Sequence, residues 1–317
     1  MIIAIPDDYH GLVPTLSCFG LLEGHDVRVF RDVAPPFDVM VDNLSEAEII
    51  VPIRERTEFT RELIAALPRL KLISQTGRST HHVDVTACAE RGIAVAAGTH
   101  ASPYTVAEHT WALILAAARR IPEETALMKR GAWRGSFSLP LRGRTLGIFG
   151  LGKIGSLVAA TGASFGMRVL VWGREATRDA AKRAGYAVAQ SQRALFQESD
   201  VLSLCLRLTP ETRGIVSAED LAAMKADALV VNTARAELIA RGVLEHALGL
   251  GRPGFAAVDV YEDEPVQNGE HPLLRLPNAL CTAHSAWLER PTYELYFGEA
   301  FENAVAWAAG KPVNLVN

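Results

Sequence analysis

Short apolar runs alternate with amphipathic segments along the first third of the chain. The apolar runs predict buried strands over residues 2–5, 26–30, 47–51 and 71–74. Helical periodicity predicts helices between them, over residues 13–22 and 60–67. Strands that are apolar throughout are typical of a parallel sheet with both faces covered. The pattern therefore predicts a doubly wound α/β lobe.

A second series of the same kind begins at Thr145. Its predicted strands are residues 146–149, 169–172, 201–206, 229–232, 256–260 and 279–282. The helices between them include residues 154–165 and 177–184, and a further helix is predicted over residues 292–309. We expect the extended tail, residues 313–317, to return to the first lobe. The fold class is α/β with two doubly wound parallel-sheet lobes, which suits a chain of 317 residues.

One long helix is predicted between the two series, over residues 103–120. Pro103 stands where a first-turn proline is tolerated, and Arg119 and Arg120 suit the negative end of a helix. The apolar residues cover more than one face of this helix. That excess indicates burial between domains or against a second subunit.

Composition and charge narrow the classes of function. With 49% hydrophobic and 21% charged residues, each lobe can bury a core, and the net charge of −4 disfavours nucleic acid or an anionic membrane as a partner. The N-terminus lacks the basic start of a signal peptide, and no apolar stretch approaches the roughly 20 residues that span a bilayer. The four cysteines are scattered, which favours reduced thiols over a metal site or disulfides. We expect a soluble, cytoplasmic protein.

A glycine loop carries the first chemical signal. Gly150-Leu151-Gly152-Lys153-Ile154-Gly155 follows a predicted strand directly and opens a predicted helix. In that context Gly150 makes the tight turn, Gly152 lets the backbone approach a pyrophosphate, and Gly155 packs helix on strand. The pyrophosphate lies at the helix N-terminus, where free N–H groups and the helix dipole attract it. The loop predicts a dinucleotide site.

The end of the next strand bears on the choice of dinucleotide. An acidic residue there would bind the adenosine ribose of NAD, but the chain has Gly173 and Arg174, with Glu175 close by. A guanidinium suits a 2′-phosphate, so NADP is favoured over NAD. The alternative is that Arg174 is a solvated charge at a strand end.

Several motifs resemble those of the D-isomer-specific 2-hydroxyacid dehydrogenases, a family that includes glyoxylate and hydroxypyruvate reductases and phosphoglycerate dehydrogenases. They are Leu-Arg-Gly-Arg-Thr-Leu-Gly-Ile over residues 141–148, Leu-Thr-Pro-Glu-Thr-Arg-Gly over 208–214, Val-Asn-Thr-Ala-Arg over 231–235, Asp-Val-Tyr-Glu-Asp-Glu-Pro over 259–265, and His284. They occur in the family's order and with family-like spacing, so the resemblance spans nearly the whole chain.

The resemblance implies an NAD(P)-dependent oxidoreductase. Such an enzyme transfers a hydride between the nicotinamide and C2 of a small D-2-hydroxy acid or 2-keto acid, here of the glyoxylate or hydroxypyruvate type. It also implies a flavodoxin-like substrate (catalytic) domain at residues 1–99 and 287–317. Residues 100–286 would form the Rossmann dinucleotide-binding domain.

The family's catalytic set has a counterpart at each position of this chain. By resemblance, Arg235 holds the substrate carboxylate and polarises the carbonyl. His284 exchanges the proton with the substrate oxygen, and Glu264 hydrogen-bonds the imidazole and fixes its tautomer. Each residue alone has an ordinary structural interpretation, and their order along the chain favours the catalytic one.

Other site residues follow from the resemblance. Substrate binding falls to Gly77, Arg78 and Ser79, where Arg78 replaces a small family residue and adds a charge. Trp287 either shapes the substrate pocket or is buried in the hinge. The remaining cofactor-binding residues are Val106, Lys153, Ile154, Leu206, Thr233 and Asp259, the last holding the nicotinamide carboxamide.

Two alternatives stay open. Activity on 3-phosphoglycerate would need extra basic residues for the phosphate and often a C-terminal regulatory domain, which we do not expect in a chain that stops after Asn317. A non-catalytic, nucleotide-sensing protein like the corepressors that share this fold also carries a Trp three residues after the His, as Trp287 stands here.

The assembly is also implied by resemblance. Residues 103–134 match the family's dimerisation arm, which predicts a homodimer.

Overall fold

The chain forms two compact units, each built on its own parallel sheet. The computed structural model of the protein describes residues 1–133, 135 and 137–317. One unit combines Met1–Ser102 with Leu288–Asn317, and the other is Pro103–Trp287. No helix among these described residues is both long and apolar enough to cross a membrane. All four cysteines are free thiols.

The sheet of the first unit has a flavodoxin-like strand order. Its strands are β1 (Ile2–Ile5), β2 (Asp26–Val29), β3 (Ile49–Ile50), β4 (Leu72–Gln75) and β5 (Ala94–Ala97). The helices are α1 (Phe37–Leu44), α2 (Arg61–Ala66) and α3 (Val85–Glu90). The strands lie in the order β2-β1-β3-β4-β5 and all pair in parallel, as in doubly wound folds of the flavodoxin type. The fold-class prediction is confirmed for this unit.

Several features of this unit differ from the sequence prediction, which did not include α1 or α3. The helix expected over residues 13–22 is a pair of 3-10 helices, Val13–Thr15 and Ser17–Leu22, because Leu16 between them is extended. Strand β5 was not predicted, since three of its four residues are alanine, which has a low strand propensity.

The second unit begins with helical elements. Helix α4 (Tyr104–Ala118) lies within the predicted helix of residues 103–120, and it is followed by α5 (Ile121–Lys129), which was not predicted. Arg120 has a left-handed φ of 55°, which ends the first helix, and Pro122 stands in the first turn of the next. Side chains of α4, among them Trp111 and Ile114, are buried in this unit's own core.

The sheet of the second unit has Rossmann order. Its strands are β6 (Thr145–Phe149), β7 (Arg168–Trp172), β8 (Ala187–Val188), β9 (Val201–Leu204), β10 (Leu229–Asn232), β11 (Phe255–Val258) and β12 (Ala279–Cys281). The helices are α6 (Lys153–Ser164), α7 (Glu175–Arg183), α8 (Gln192–Glu198), α9 (Ala218–Ala222) and α10 (Val243–Gly249). The strands are all parallel and lie in the order β12-β11-β10-β9-β6-β7-β8. From β6, the later strands are added first on one side (β7, β8) and then on the other (β9 to β12), so the strand order reverses between β6 and β9. Ligands of such sheets bind where the strand order reverses.

The chain then returns to the first unit. Helix α11 (Arg290–Ala308) packs on β4, and the Ser74 hydroxyl donates to the Ala300 carbonyl at 2.7 Å. The tail pairs antiparallel with β5 through Leu315 and Ala96. The predicted return of the tail to the first lobe is confirmed.

Candidate active site

The predicted site residues of the second unit lie at one edge of its sheet. The glycine loop follows β6, Arg235 follows β10, Glu264 follows β11 and His284 follows β12. Because all these strands are parallel, their carboxyl ends meet at the same edge. Strands β10, β11 and β12 are adjacent, so the three polar residues emerge from neighbouring strands.

The glycine loop has the geometry that a dinucleotide needs. Gly150 has a φ of 97°, and a Cβ on it would lie 2.9 Å from the carbonyl oxygen of Cys205 after β9. Gly155 packs so closely on the carbonyl oxygen of Gly150 that a side chain has no room. Gly152 precedes the first turn of α6 and is exposed.

An anion fits at the start of α6. The first turn consists of Lys153, Ile154 and Gly155, and its N–H groups are those that a helix leaves unpaired. The open space beside Gly152 leaves room for a phosphate to reach them. The residues present therefore fit the pyrophosphate of a dinucleotide.

A second arginine near the end of β7, Arg178 in the first turn of α7, was missed by the sequence reasoning. Gly173 follows the strand, and the exposed Arg174 occupies the N-cap position of α7. The Arg178 guanidinium lies 5.1 Å from the ring centre of Trp172. The Thr209 side chain, with a smaller contribution from Arg174, holds the pKa of the Glu211 carboxyl below its ordinary value.

Two threonines join the start of α4 to the end of β10. The Thr110 hydroxyl lies 2.7 Å from the carbonyl oxygen of Val106 and 2.8 Å from the Thr233 hydroxyl. Leu206 follows β9, and its side chain approaches Gly150. The predicted cofactor residues Val106 and Thr233 are thus brought together, as are Leu206 and Gly150.

The buried Asn232 shapes the loop that carries Arg235. Its side-chain amide donates to the Arg235 carbonyl oxygen at 2.9 Å and accepts from the Ala234 N–H at 3.1 Å. The Arg235 guanidinium donates to the Ala234 carbonyl at 2.7 Å and is partly exposed.

His284 and Glu264 form a hydrogen-bonded pair. His284 Nδ1 lies 2.5 Å from Glu264 Oε2, and the Tyr261 N–H donates to Glu264 Oε1 at 2.8 Å. The side chains of His284 and Glu264 are 27% and 30% exposed. Because a carboxylate only accepts, Nδ1 carries the proton, and Nε2 is available to a ligand. The predicted pairing of these two residues is present in the structure.

Asp259 is fully buried, and its carboxylate accepts hydrogen bonds from the loop that carries His284. The N–H groups of Ser285 and Ala286 each donate to its carboxylate at 2.9 Å, and the Thr282 hydroxyl donates at 2.5 Å. Burial raises the pKa of Asp259, but the hydrogen bonds from His109, Thr282 and the two amides outweigh burial and hold it below the ordinary value. The predicted contact of Asp259 with a nicotinamide carboxamide stays a prediction.

The predicted substrate residues of the first unit follow β4. Gly77 is buried, Arg78 is exposed, and the Ser79 hydroxyl lies 2.6 Å from His81 Nδ1. Sequence reasoning missed Arg54, whose Nη1 lies 3.3 Å from the position of a Cβ on Gly77. Its backbone N–H also donates to the Thr76 hydroxyl at 2.8 Å, which ties the two loops together.

Trp287 ends the second unit and is 8% exposed. Of the two roles that the sequence left open, this burial favours the structural one.

Comparisons with known proteins agree with this arrangement. Residues 111–286 match the profile of the NAD-binding domain of D-isomer-specific 2-hydroxyacid dehydrogenases. A glyoxylate reductase of Aeropyrum pernix is 37% identical over 92% of this chain and 90% of its own length. A D-3-phosphoglycerate dehydrogenase of Methanocaldococcus jannaschii is 38% identical over 77% of this chain, which spans 47% of that longer protein.

A solved structure is similar over almost the whole chain. It is a phosphoglycerate oxidoreductase of Vibrio cholerae, 48% identical, with a TM-score of 0.94 over 98% of this chain and 99% of that one. This chain belongs to the D-isomer-specific 2-hydroxyacid dehydrogenase family, and it is an NAD(P)-dependent oxidoreductase acting on a small 2-hydroxy or 2-keto acid.

Proposed function

We propose that this enzyme reduces a small 2-keto acid of the glyoxylate or hydroxypyruvate type, with His284 as the proton donor. The observation that carries the proposal is the hydrogen-bonded His284–Glu264 pair, at the sheet edge that also holds Arg235 and the glycine loop. A proton donor, an anion-binding guanidinium and a dinucleotide loop are together what reduction of a keto acid requires.

The residues divide the reaction between them. Arg235 binds the substrate carboxylate and polarises the carbonyl. When bound, the reduced nicotinamide supplies the hydride to C2. His284 donates its Nε2 proton to the carbonyl oxygen, which completes the hydroxyl, and it takes that proton back in the reverse direction. Glu264 keeps the proton on Nδ1 and stabilises the charged imidazole. Gly77, Arg78 and Ser79 of the first unit bind the substrate carboxylate through backbone N–H groups.

The binding residues for the dinucleotide are those of the α6 start and the neighbouring strand ends. Asp259 would hold the carboxamide beside Val106, Leu206 and Thr233. NADP is the favoured form, because Arg174 is exposed at the end of β7 and Arg178 places a second positive charge nearby.

The cofactor preference has a direct test. The ratio of kcat/KM with NADPH to that with NADH is measured for wild type and Arg174→Ala, with glyoxylate and with hydroxypyruvate. We expect the ratio to fall by about 10-fold or more in the variant, since one charged contact to a phosphate is lost. An unchanged ratio would contradict the role of Arg174.

A second candidate substrate carries a phosphate. Arg54 beside Gly77, together with Arg78, supplies the extra basic residues that 3-phosphoglycerate or its keto acid would need. The measurement compares kcat/KM for hydroxypyruvate and its 3-phosphate in wild type and Arg54→Gln. Preference for the phosphorylated acid that disappears in Arg54→Gln would favour this candidate over the first.

The remaining alternative is nucleotide sensing without catalysis. A panel of 2-keto acids, assayed with both cofactors, separates the two functions. Cofactor binding without turnover on any of these acids would refute the enzymatic proposal.

We also propose that the protein is a homodimer joined through residues 103–134. Large apolar side chains are exposed in and just beyond this segment, among them Tyr104 (62%), Ile121 (53%), Met128 (54%), Trp133 (74%) and Phe137 (100%). Such a concentration is typical of an interaction surface. Arg134, the last residue of the proposed arm, lies outside the described residues.

A further inference from the structure

We propose that His109 and Asp259 are positioning residues that hold His284 in place from behind, through the hydroxyl of Thr282. This inference rests on the proposed role of His284 as the proton donor. It assigns a function to His109, which lies on α4 and is far from His284 in sequence.

The backbone at His284 needs support. His284 has a φ of 47°, in the left-handed region that residues with a Cβ rarely adopt. Such a conformation is unfavourable by itself and persists where surrounding contacts hold it. The direction of the imidazole depends on this conformation, because the side chain follows the backbone.

Asp259 supplies contacts on both sides of His284. Its carboxylate accepts from the N–H groups of Ser285 and Ala286 after the histidine, and from the Thr282 hydroxyl before it. The carboxylate is fully buried at the end of β11 and is therefore fixed. One side chain thus fixes the segment that carries the strained residue.

His109 completes this network. Its Nε2 lies 3.1 Å from the Thr282 hydroxyl oxygen and 3.3 Å from Asp259 Oδ1. The single hydroxyl hydrogen of Thr282 is directed to Asp259, at 2.5 Å, so the Thr282 oxygen accepts from His109. His109 must then carry a hydrogen on Nε2. It donates to both acceptors and ties helix α4 to the His284 segment.

Tyr261 adds a parallel connection. Its hydroxyl donates to the Thr282 carbonyl oxygen at 2.8 Å, and its N–H donates to Glu264. Tyr261 therefore connects Glu264 to Thr282, the residue that lies two positions before His284. Loss of the His109 donor should leave cofactor and substrate binding intact but misplace the proton donor.

The test compares His109→Leu, which removes the donor, with His109→Gln, whose side-chain amide can place an N–H donor near the position of Nε2. Steady-state kcat and KM, the dissociation constant for NADPH and the melting temperature are measured for both. Thr282→Val breaks the same hydrogen bond from the other side, because it removes the Thr282 hydroxyl at nearly constant side-chain volume.

We expect kcat of His109→Leu and Thr282→Val to fall on the order of 10- to 100-fold, with KM and the NADPH dissociation constant within about 3-fold of wild type. His109→Gln should recover most of the lost kcat. Wild-type kcat in both His109→Leu and Thr282→Val would overturn the inference, and so would His109→Gln falling as far as His109→Leu. A wild-type protein without turnover would instead refute the proposed function.

Discussion

At the scale of single residues, three glycines in one loop meet three different requirements. Gly150 needs its left-handed backbone, Gly155 has no room for a side chain, and Gly152 borders open space. The sequence predicted these three roles because the spacing of the motif reflects local geometry. Contacts between distant segments left no such signal. The hydrogen bond between His109 and Thr282 joins residues 173 positions apart. Likewise, Arg54 lies beside Gly77 only in the folded lobe.

Two alanine substitutions in the loop should separate folding from binding. In Gly155→Ala, the added methyl group meets the Gly150 carbonyl oxygen, so the free energy of unfolding should fall by about 1–3 kcal/mol. In Gly152→Ala, it should change by less than about 0.5 kcal/mol, while the methyl group fills the space proposed for the pyrophosphate and raises the dinucleotide dissociation constant about 10-fold or more. Urea unfolding and fluorescence titration measure the two quantities. Equal stability of both variants would contradict this account of the packing.

The proposed catalytic trio was predicted from the family resemblance. Arg235, Glu264 and His284 lie in the loops that follow β10, β11 and β12, three strands that the apolar pattern located to within a few residues. What the pattern could not show is that β10, β11 and β12 are neighbours in the sheet, since strand order depends on long-range pairing.

At the scale of elements, the other edge of the same sheet is held by a charged cluster. Asp200 accepts from the Thr145 N–H at 2.7 Å, and from Lys225 and Arg144 at 2.9 Å each. Burial raises the pKa of Asp200, but these three contacts outweigh burial and hold it below its ordinary value of 3.8. The cluster ties the starts of β6 and β9 to the segment before β10.

The stabilisation from Asp200 should depend on pH. A carboxyl whose folded pKa is lowered stabilises the protein above its unfolded pKa, and the effect fades as the pH falls through the folded pKa. At pH 7 we expect Asp200→Asn to lower the free energy of unfolding by about 1.5–3 kcal/mol. The difference from wild type should shrink steadily below about pH 4. Urea unfolding of both proteins across this range measures it, and a difference that grows in acid would contradict the assignment.

Two strands that the sequence missed share a physical cause. Strand β5 is alanine-rich and β8 has two residues, so neither presents a run of large apolar side chains. Helix α5 was also not predicted, and none of its residues is buried.

At the scale of the whole molecule, the order of strands explains why the proposed site residues of the second unit lie at one edge of its sheet. Both sheets are parallel, and the second reverses its order between β6 and β9, beside the glycine loop. Apolar continuity along the strands allowed two doubly wound lobes to be predicted. The assembly depends on surface side chains, whose partners the pattern of one chain does not specify.

The proposed dimer is tested by light scattering. Wild type should have the mass of two chains, and the double variant Trp133→Ser, Phe137→Ser should shift towards the mass of one, because two exposed apolar anchors are removed. Leu250→Ser is the matched control, since Leu250 is 71% exposed outside the arm. A monomeric wild type, or equal dissociation in the control, would refute the proposed interface.

The most direct test of the proposed chemistry is the turnover of His284→Ala. Reduction of glyoxylate and hydroxypyruvate is followed by the loss of reduced nicotinamide absorbance, beside a measurement of cofactor affinity. General acid catalysis contributes about 10²- to 10⁴-fold, so kcat should fall by that factor while cofactor affinity is unchanged. A His284→Ala variant with wild-type kcat would contradict the account.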